Sequence, residues 1–213
     1  AAGAALGVST ERAVCGYPPR DLGMEGDFVE RSMDFALNIP TDLPVLVGTP
    51  IPAEDDRTLP TNGVVRAGPQ VATITGDEHS RIVAEKQLLP TYDVFDEARY
   101  FAAKNRSGLA RSIGGLTLGV TVCEDAWQSS GMTPSSYAQD PIEHIAGWCR
   151  QGVEISATVN LSASPFHTDK FTTRLEVARH AASVLNHPFL LANQVGGNDD
   201  LLFDGRSLVA WPD

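Results

Sequence analysis

Hydrophobic and polar positions form segments along the chain that predict helices and strands in turn. The stretch 27–37 has apolar residues at mixed helical spacing and ends before Pro40, which is typical of a helix. The β-branched run 45–49, closed by Pro50, is typical of a short buried strand. Helix and strand therefore follow each other closely in the first quarter of the chain.

The middle of the chain contains one strand signal and one helix-start signal. A run rich in β-forming residues at 115–122 predicts a strand that ends just before Cys123. The sequence at 140–143 is DPIE, in which the Asp can cap a helix, the Pro suits the first turn and the Glu completes a capping box. We predict a helix from there to about residue 150, stopped by Gly152.

The last third continues the same alternation. The run 155–161 predicts a strand, 173–185 an amphipathic helix, 189–192 another apolar strand, and 196–199 a turn. Neither a Ser/Gly-rich linker nor a repeat of fixed period interrupts the pattern. Strand and helix alternating within one domain predict a layered α/β fold.

Composition and charge narrow the possible partners. The 213 residues suffice for one large domain, and 42% hydrophobic with 20% charged residues is ordinary for a globular protein. The net charge of −11 and the absence of a Lys/Arg-rich run argue against nucleic-acid binding. No apolar stretch approaches the roughly 20 residues that span a bilayer. We therefore expect a cytoplasmic protein with no nucleic-acid or membrane partner.

Cysteine and histidine patterns argue against a metal site. The three cysteines form no CxxC pair, so we expect free thiols. The five histidines show neither HExxH nor HxH spacing, so each is expected at the surface or on a helix, and no metal is predicted. The histidines are His79, His144, His167, His180 and His187.

One thiol lies where α/β folds present reactive groups. Cys123 follows the predicted strand 115–122 and precedes two carboxylates, Glu124 and Asp125, which would raise its pKa. A nucleophilic thiol here needs a cation from elsewhere in the fold, and without one a strand-end cysteine is more often structural. Taken alone, Lys86 and Glu11 are typical surface residues, and no spacing argument selects them.

Four strings of the sequence resemble the nitrilase superfamily, and specifically the glutaminase domain of glutamine-dependent NAD synthetases. They occur in the order of that family and cover nearly the whole chain. The strings are GYPP at 16–19 with Asp21-Leu22, LPTYDVFDE at 89–97 with RYF at 99–101, VCED at 122–125, and NLSASPF at 160–166 with NQVGGN at 193–198.

The resemblance implies a catalytic Glu at Glu11, a catalytic Lys at Lys86 and the nucleophile at Cys123. The second active-site Glu of many nitrilase relatives matches Glu97 best. This set implies covalent amide hydrolysis, in which Glu11 accepts the thiol proton and Lys86 stabilises the oxyanion.

The resemblance also implies a substrate-binding set for glutamine. Tyr92, Glu124 and Ser164 are expected near the glutamine, although Ser164 could equally be a turn residue before a proline. Lys170 and Arg174 could meet a carboxylate of the substrate, and surface positions are at least as plausible for both.

At the level of the whole protein, the resemblance implies a nitrilase-type α-β-β-α sandwich. We expect residues 1–213 to be a partial carbon-nitrogen hydrolase domain that lacks the first and last elements of the family, with the synthetase domain absent from this chain. The glutaminase step needs no cofactor, whereas ATP and Mg belong to the synthetase domain, which amidates nicotinic acid adenine dinucleotide to NAD with the released ammonia. L-glutamine, the synthetase domain and further copies of the chain are the expected partners.

Two departures from the family leave alternatives open. Val8, Ser9 and Thr10 replace the usual Phe-Pro lead into Glu11, and Ala84-Glu85 replaces the aromatic-basic pair before Lys86. A stand-alone amidase of the nitrilase family is one alternative. A catalytically degenerate module kept for assembly is the other.

Overall fold

The computed structural model describes residues 3–55, 57–68, 81–111 and 115–212. Within these ranges the chain forms two large β-sheets that pack face to face, with helices on the outer face of each, and a separate two-stranded sheet. The interpretation of His79 as a surface or helix residue lies outside the described residues.

The first sheet is built from the first half of the chain. Its strand order is β1-β2-β3-β4, with β1 and β2 parallel and the remaining neighbours antiparallel. The strands are β1 (Gly7–Val8), β2 (Val45–Ile51), β3 (Thr61–Ala67) and β4 (Ile82–Glu85). Helix α1 (Gly26–Leu37) covers its outer face, where Ala36 packs against Val47 and Val65.

The second sheet has the order β11-β8-β7-β6-β5, with its three central strands parallel and both edge strands antiparallel. The strands are β5 (Gly108–Arg111), β6 (Thr117–Val122), β7 (Ala157–Ser162), β8 (Phe189–Asn193) and β11 (Leu208–Ala210). Helices α4 (Pro141–Arg150) and α5 (Lys170–Leu185) pack their apolar sides on its outer face. Parallel strands joined through outer helices are the usual way to bury both faces of such a sheet.

The interior of the sandwich is apolar and continuous between the sheets. Val64 and Val83 of the first sheet form one cluster with Val120, Val122 and Leu161 of the second. Two sheets facing each other with helices outside are the α-β-β-α sandwich that the sequence predicts. The fold-class prediction is confirmed.

Predicted and observed elements agree best where local signals are strong. Helix α1 and strand β6 occur where the pattern predicts them, and α4 begins after Asp140, whose carboxylate accepts from the N–H groups of Ile142 and Glu143. A capping box also requires the Glu143 carboxylate to accept from the N–H of Asp140. This part of the prediction is wrong, because the Glu143 carboxylate pairs with Arg150 at 3.3 Å. Helix α5 begins at Lys170, before the predicted start.

The prediction of a turn at 196–199 is wrong. These residues belong to a hairpin of β9 (Val195–Asn198) and β10 (Leu201–Asp204), in which Asn198 lies opposite Leu201. The turn is confined to Asp199 and Asp200, and Asp199 adopts the left-handed φ of 55° that such tight connections require. Glycines permit an extended backbone as readily as a turn, so the glycine-rich composition does not show where the turn begins.

The remaining sequence expectations concern metals, membranes and histidines. Within the described ranges, no helix is long and apolar enough to cross a membrane, and no group of three or more potential ligands could hold a metal ion. The three cysteines are free thiols. For His187 the expectation of a surface or helix position is wrong, since it follows α5, is buried and lies 2.8 Å from the Thr158 hydroxyl.

Candidate active site

Glu11 lies in a turn just after β1, against the first sheet. The Ser9 hydroxyl accepts from the N–H of Gly48 at 3.0 Å, and the Ser9 N–H donates to Leu46 at 2.9 Å, so the segment leaves the sheet in a defined direction. A Cβ at position 48 would meet the Thr10 carbonyl at 2.3 Å, which explains the glycine there. The altered lead into Glu11 thus still places it at the end of a strand.

The Glu11 carboxylate is fully buried and has partners on both oxygens. Its Oε1 accepts from Lys86 Nζ at 2.8 Å and from Asn62 Nδ2 at 2.6 Å, and its Oε2 accepts from the N–H of Ala163 at 3.1 Å. Three donors from three separate segments hold the side chain, and its orientation is therefore well defined.

Lys86 directly follows β4 and is also fully buried. Its ammonium donates to Glu11 and to Glu97, at 2.8 and 2.7 Å. The neighbouring Glu85, which the sequence leaves unexplained, accepts from the Thr61 hydroxyl at 2.6 Å and pairs with Arg106 at 3.4 Å. Successive side chains along an extended strand point to opposite sides, so Glu85 and Lys86 contact different residues.

Glu97 is the first residue of the short helix α2 (Glu97–Tyr100) and closes the group. Besides Lys86, its carboxylate accepts from the Tyr17 hydroxyl at 2.8 Å and pairs with Arg12 at 3.2 Å. The surface interpretation of Glu11 and Lys86 is therefore wrong. Breaking a buried ion pair by removing one partner typically costs about 3–5 kcal/mol, so this network weighs heavily on stability.

Cys123 begins a one-turn 3₁₀ helix (Cys123–Ala126) where β6 ends, and its φ of 44° is left-handed. A non-glycine residue with such a φ is strained and needs support from its surroundings. Asn160, opposite Thr121 on the neighbouring β7, donates to the Cys123 carbonyl at 3.2 Å. The nearly buried thiol is thus presented on a supported, strained turn at the strand exit.

Asp125 ties this turn to the segment that carries Lys86. One carboxylate oxygen accepts from the N–H groups of Gln87 and Leu88, at 3.0 and 2.9 Å, and the other accepts from the N–H of Val122 at 3.0 Å. Burial raises the pKa of Asp125 to about 7, while its backbone donors oppose the rise. This carboxylate connects the turn at Cys123 with the segment after Lys86 through backbone contacts.

Electrostatics at the thiol decide which group carries the proton. Burial, together with the Glu11 carboxylate, raises the pKa of the Cys123 thiol well above its ordinary value, against the effect of Lys86. Burial alone would raise the pKa of Glu11, but Lys86 and Arg12 lower it below its usual range. At neutral pH these shifts leave the proton on the Cys123 thiol and leave Glu11 as a carboxylate.

Glu124, the residue after Cys123, is buried among hydroxyl groups. Its carboxylate accepts from Tyr92 at 2.9 Å, from Thr133 at 2.6 Å and from Tyr137 at 3.2 Å. Within the part of the chain that the structure describes, no Lys or Arg forms an ion pair with it. We call Tyr92, Glu124, Thr133 and Tyr137 the hydroxyl cluster.

The other expected binding residues have unequal surroundings. Ser164 is buried after β7, and its N–H donates to the Asn193 side chain at 2.8 Å. The Lys170 ammonium lies 4.3 Å from the Trp127 ring and interacts electrostatically with Cys123 and Glu124. Burial lowers the Lys170 pKa. Both possibilities for Arg174 are wrong, because it is fully buried and pairs with Asp204.

A cavity of about 340 Å³ borders this region. Tyr92, Phe95, Phe166 and Lys170 are among the residues that line it. The structure thus brings Glu11, Lys86 and Glu97 into direct contact, places Tyr92 against Glu124, and gives a cation, Lys170, to the adjoining cavity.

Several residues of the site escape sequence reasoning. Asn62, Arg12 and Tyr17 contact the buried carboxylates, and Asp125 joins two segments. Tyr17 lies within the GYPP string, and Asp125 within VCED, so both could have been examined there. Nothing in periodicity or spacing marks Asn62 or Arg12.

Comparison with known proteins gives consistent relatives, although no protein-family model matches the chain. It is 37% identical to the glutamine-dependent NAD(+) synthetase of Synechocystis sp. over 98% of this chain and 37% of that protein. The corresponding protein of Thermotoga maritima is 33% identical over 97% of this chain and 32% of its own length. The chain therefore spans only about a third of the length of these relatives.

Solved structures agree with this result. Glutamine-dependent NAD+ synthetase from Acinetobacter baumannii in complex with ADP matches 98% of this chain and 35% of that chain, with a TM-score of 0.75 and 26% identity. A mutant of the Nesterenkonia AN1 amidase from the nitrilase superfamily matches 99% of this chain and 71% of that chain, with a TM-score of 0.67 and 18% identity.

The sandwich is therefore a fold that the chain shares with the solved NAD+ synthetase and with an amidase from the nitrilase superfamily. The sequence relatives show that the chain is similar, over nearly its whole length, to about a third of the length of glutamine-dependent NAD synthetases. The resemblance noted in the sequence is thereby confirmed. The roles of individual residues stay predictions.

Proposed function

We propose that the chain hydrolyses the side-chain amide of L-glutamine through a thioester on Cys123. The observation that carries the proposal is the fully buried pair of Glu11 and Lys86, with 2.8 Å between Oε1 and Nζ and both charges acting on the Cys123 thiol. A base and a cation beside a strand-end thiol supply the two functions that amide hydrolysis requires.

In the first half-reaction, Glu11 accepts the thiol proton and the sulfur of Cys123 attacks the amide carbon. The oxyanion that forms is stabilised by the Lys86 ammonium and the backbone N–H after Cys123, where one donor is worth roughly 3 kcal/mol. Glu11 then passes its proton to the leaving nitrogen. Ammonia departs and a thioester remains.

In the second half-reaction, Glu11 accepts a proton from water, and the resulting hydroxide attacks the thioester. Collapse of the intermediate releases glutamate and returns the proton to the sulfur. Glu97 holds the Lys86 ammonium in place from the opposite side through the 2.7 Å contact. No cofactor is needed for either half-reaction.

Recognition of glutamine needs groups of both signs, because the substrate carries an α-ammonium and an α-carboxylate. Glu124 has only hydroxyl partners within the described ranges and would receive the ammonium, beside Tyr92. Lys170, at the cavity, would receive the carboxylate. Ser164 would contribute a further polar contact near them.

The released ammonia would serve a synthetase domain that uses ATP and Mg to amidate nicotinic acid adenine dinucleotide. The relatives that the chain matches are named as NAD synthetases and are about three times as long. We extend this role to the chain as a proposal, together with a cytoplasmic location and assembly into a homo-oligomer.

The first test measures glutamate and ammonia release from L-glutamine by the chain and by its Cys123→Ala variant. Release that disappears in the variant is the expected result. A mutant of the Nesterenkonia amidase shows the result of Michael addition of acrylamide at the active site cysteine. Acrylamide labelling of Cys123, followed by mass spectrometry, therefore reports thiol reactivity independently of turnover.

The same experiment separates the alternatives. A stand-alone amidase would hydrolyse simple aliphatic amides as well as glutamine, whereas the hydroxyl cluster and Lys170 favour an α-amino acid amide. A degenerate module would show neither turnover nor labelling of Cys123, and that pair of results would refute the catalytic proposal.

A further inference from the structure

Arg12 is a buried arginine directly beside the proposed base. Its side chain is almost fully enclosed, and its guanidinium carbon lies 4.0 Å from the Phe101 ring centroid and 5.0 Å from that of Tyr17. Its Nη2 is 3.2 Å from Glu97 Oε2. Its φ of 48° is left-handed, so the backbone adopts a strained conformation that points this side chain inward.

The contacts form a chain of four charges of alternating sign. Glu11 pairs with Lys86, Lys86 pairs with Glu97, and Glu97 pairs with Arg12. Two carboxylates and two cations add up to zero. Without Arg12, two buried carboxylates would share one ammonium, and burial strongly disfavours such an uncompensated charge.

We infer that Arg12 is a positioning residue for the proposed glutamine hydrolysis, acting as the counter-ion of Glu97 so that Lys86 remains available to Glu11, the carboxylate that accepts the thiol proton. It contacts Glu97 and no reacting atom. The inference rests on the proposed function, and it concerns a residue that neither the motif strings nor helix or strand spacing single out.

The groups that face Arg12 determine what its removal would do. They are Glu11, Cys15 and Tyr17 from its own segment, together with Lys86 and Glu97. Burial raises the pKa of Cys15 to about 11 and that of Tyr17 well above its usual value, so both stay neutral near pH 7. Loss of Arg12 would remove one of the two cations that lower the pKa of Glu11, and the pKa of Glu11 would therefore rise.

The test follows the pH dependence of Cys123 labelling by acrylamide. This addition proceeds from the thiolate, whose proton Glu11 accepts in the proposed mechanism, and it needs no turnover. In Arg12→Met, the acid limb should move to higher pH by at least about one unit, the usual effect of removing an opposite charge. Arg12→Lys, which keeps the charge, should recover most of this shift. In the double variant Arg12→Met/Glu97→Gln, the remaining charges again balance and the limb should return toward the wild-type position.

Arg174→Met is the matched control, since Arg174 is equally buried and pairs with Asp204 outside this charge network. It should lose thermal stability while the acid limb stays in place. An Arg12→Met limb that coincides with wild type would overturn the inference. If Arg12→Met does not fold, the double variant decides, because its folding supports charge compensation and its failure contradicts it.

These outcomes are distinct from the fate of the proposed function. Wild-type chain that labels at Cys123 but releases no glutamate would remove glutamine as the substrate, while the labelling limb would still report the role of Arg12. The kcat/KM profile for glutamine, measured beside it, should show the same displacement of its acid limb in Arg12→Met.

Discussion

Two groups of polar residues adjoin Cys123, and the buried carboxylates in them have different partners. In the charge network, Glu11 and Glu97 each pair with a cation at 3.2 Å or less. In the hydroxyl cluster, Glu124 accepts from Tyr92, Thr133 and Tyr137. The carboxylates of Glu11, Glu97 and Glu124 are all buried, whereas Tyr92, Thr133 and Tyr137 are only half-buried. The difference between the carboxylates therefore lies in their partners.

The comparison separates chemistry from recognition. A carboxylate that is paired with fixed cations needs no further counter-ion. It can accept the thiol proton without any other ion moving into the site. The Glu124 carboxylate has hydroxyls as its hydrogen-bond partners and no cation in direct contact within the described ranges, and a substrate ammonium can supply one. Variants in the first group should therefore change the reaction rate, and variants in the second should change substrate affinity.

The largest effect is expected from Glu11→Gln, which removes the proposed base. We expect kcat/KM for glutamine to fall by about 10²–10⁴-fold, the usual contribution of a general base, together with slower acrylamide labelling of Cys123. Glutamate release and labelling rates measure this.

Glu85→Gln is the matched control, because Glu85 is a buried carboxylate next to Lys86 that contacts Thr61 and Arg106. Its activity should stay within roughly twofold of wild type, because its partners Thr61 and Arg106 lie outside the charge network. Equal losses in both variants would remove the distinction between the network and its surroundings.

Glu124→Gln should act on affinity. A hydrogen bond to a charged group is worth about 1.5–3 kcal/mol, so KM for glutamine should rise by about 10–100-fold with little change in the labelling rate of Cys123. The analogue 4-carbamoylbutanoate lacks the α-amino group, and the wild type and the variant should hydrolyse it equally. A lower labelling rate in Glu124→Gln would place Glu124 with the chemistry instead.

Lys170→Met should have a similar but smaller effect, since Lys170 is only half-buried and its charge is partly screened. We expect KM for glutamine to increase by about tenfold, corresponding to roughly 1.4 kcal/mol. The substrate 4-aminobutanamide lacks the α-carboxylate, and its KM should not respond to the substitution. A response to both substrates would assign Lys170 a structural role.

The smallest effect near neutral pH concerns stability. The folded-state pKa of Glu11 lies below its ordinary value of 4.5, so Glu11 contributes stability above that pH, and the contribution is lost as pH falls through the folded pKa. Lys86 has a pKa raised above 10.5, so its contribution is present below that value and is lost as pH rises through the folded pKa. Chemical unfolding should therefore show a plateau between these limits and a weaker acid dependence in Glu11→Gln.

Local signals account for much of the fold. The helical pattern at 27–37, the Asp-Pro helix start at 140–141 and the β-rich run before Cys123 all correspond to observed elements. The sequence does not predict the hairpin at 195–204. Glycine and asparagine permit both turn and extended conformations, and pairing with the partner strand selects the extended one.

The site was predictable only through resemblance. Glu11 and Lys86 are separated by 75 positions, and each is unremarkable among its sequence neighbours. The motif strings bring both to attention, along with Cys123 and Glu97, whereas Arg12 and Asn62 belong to no string that was matched. Their importance comes from contacts between segments that are remote in sequence.

The sequence by itself determined the alternation of helices and strands and the strand exit at Cys123, because these depend on local propensity. It also determined the resemblance to a known family, because this depends on motifs in a fixed order. Only the tertiary structure decided that Glu11, Lys86, Glu97 and Arg12 form one neutral chain of charges. Burial and ion pairing depend on distances in space, and these are set when the two sheets close on each other.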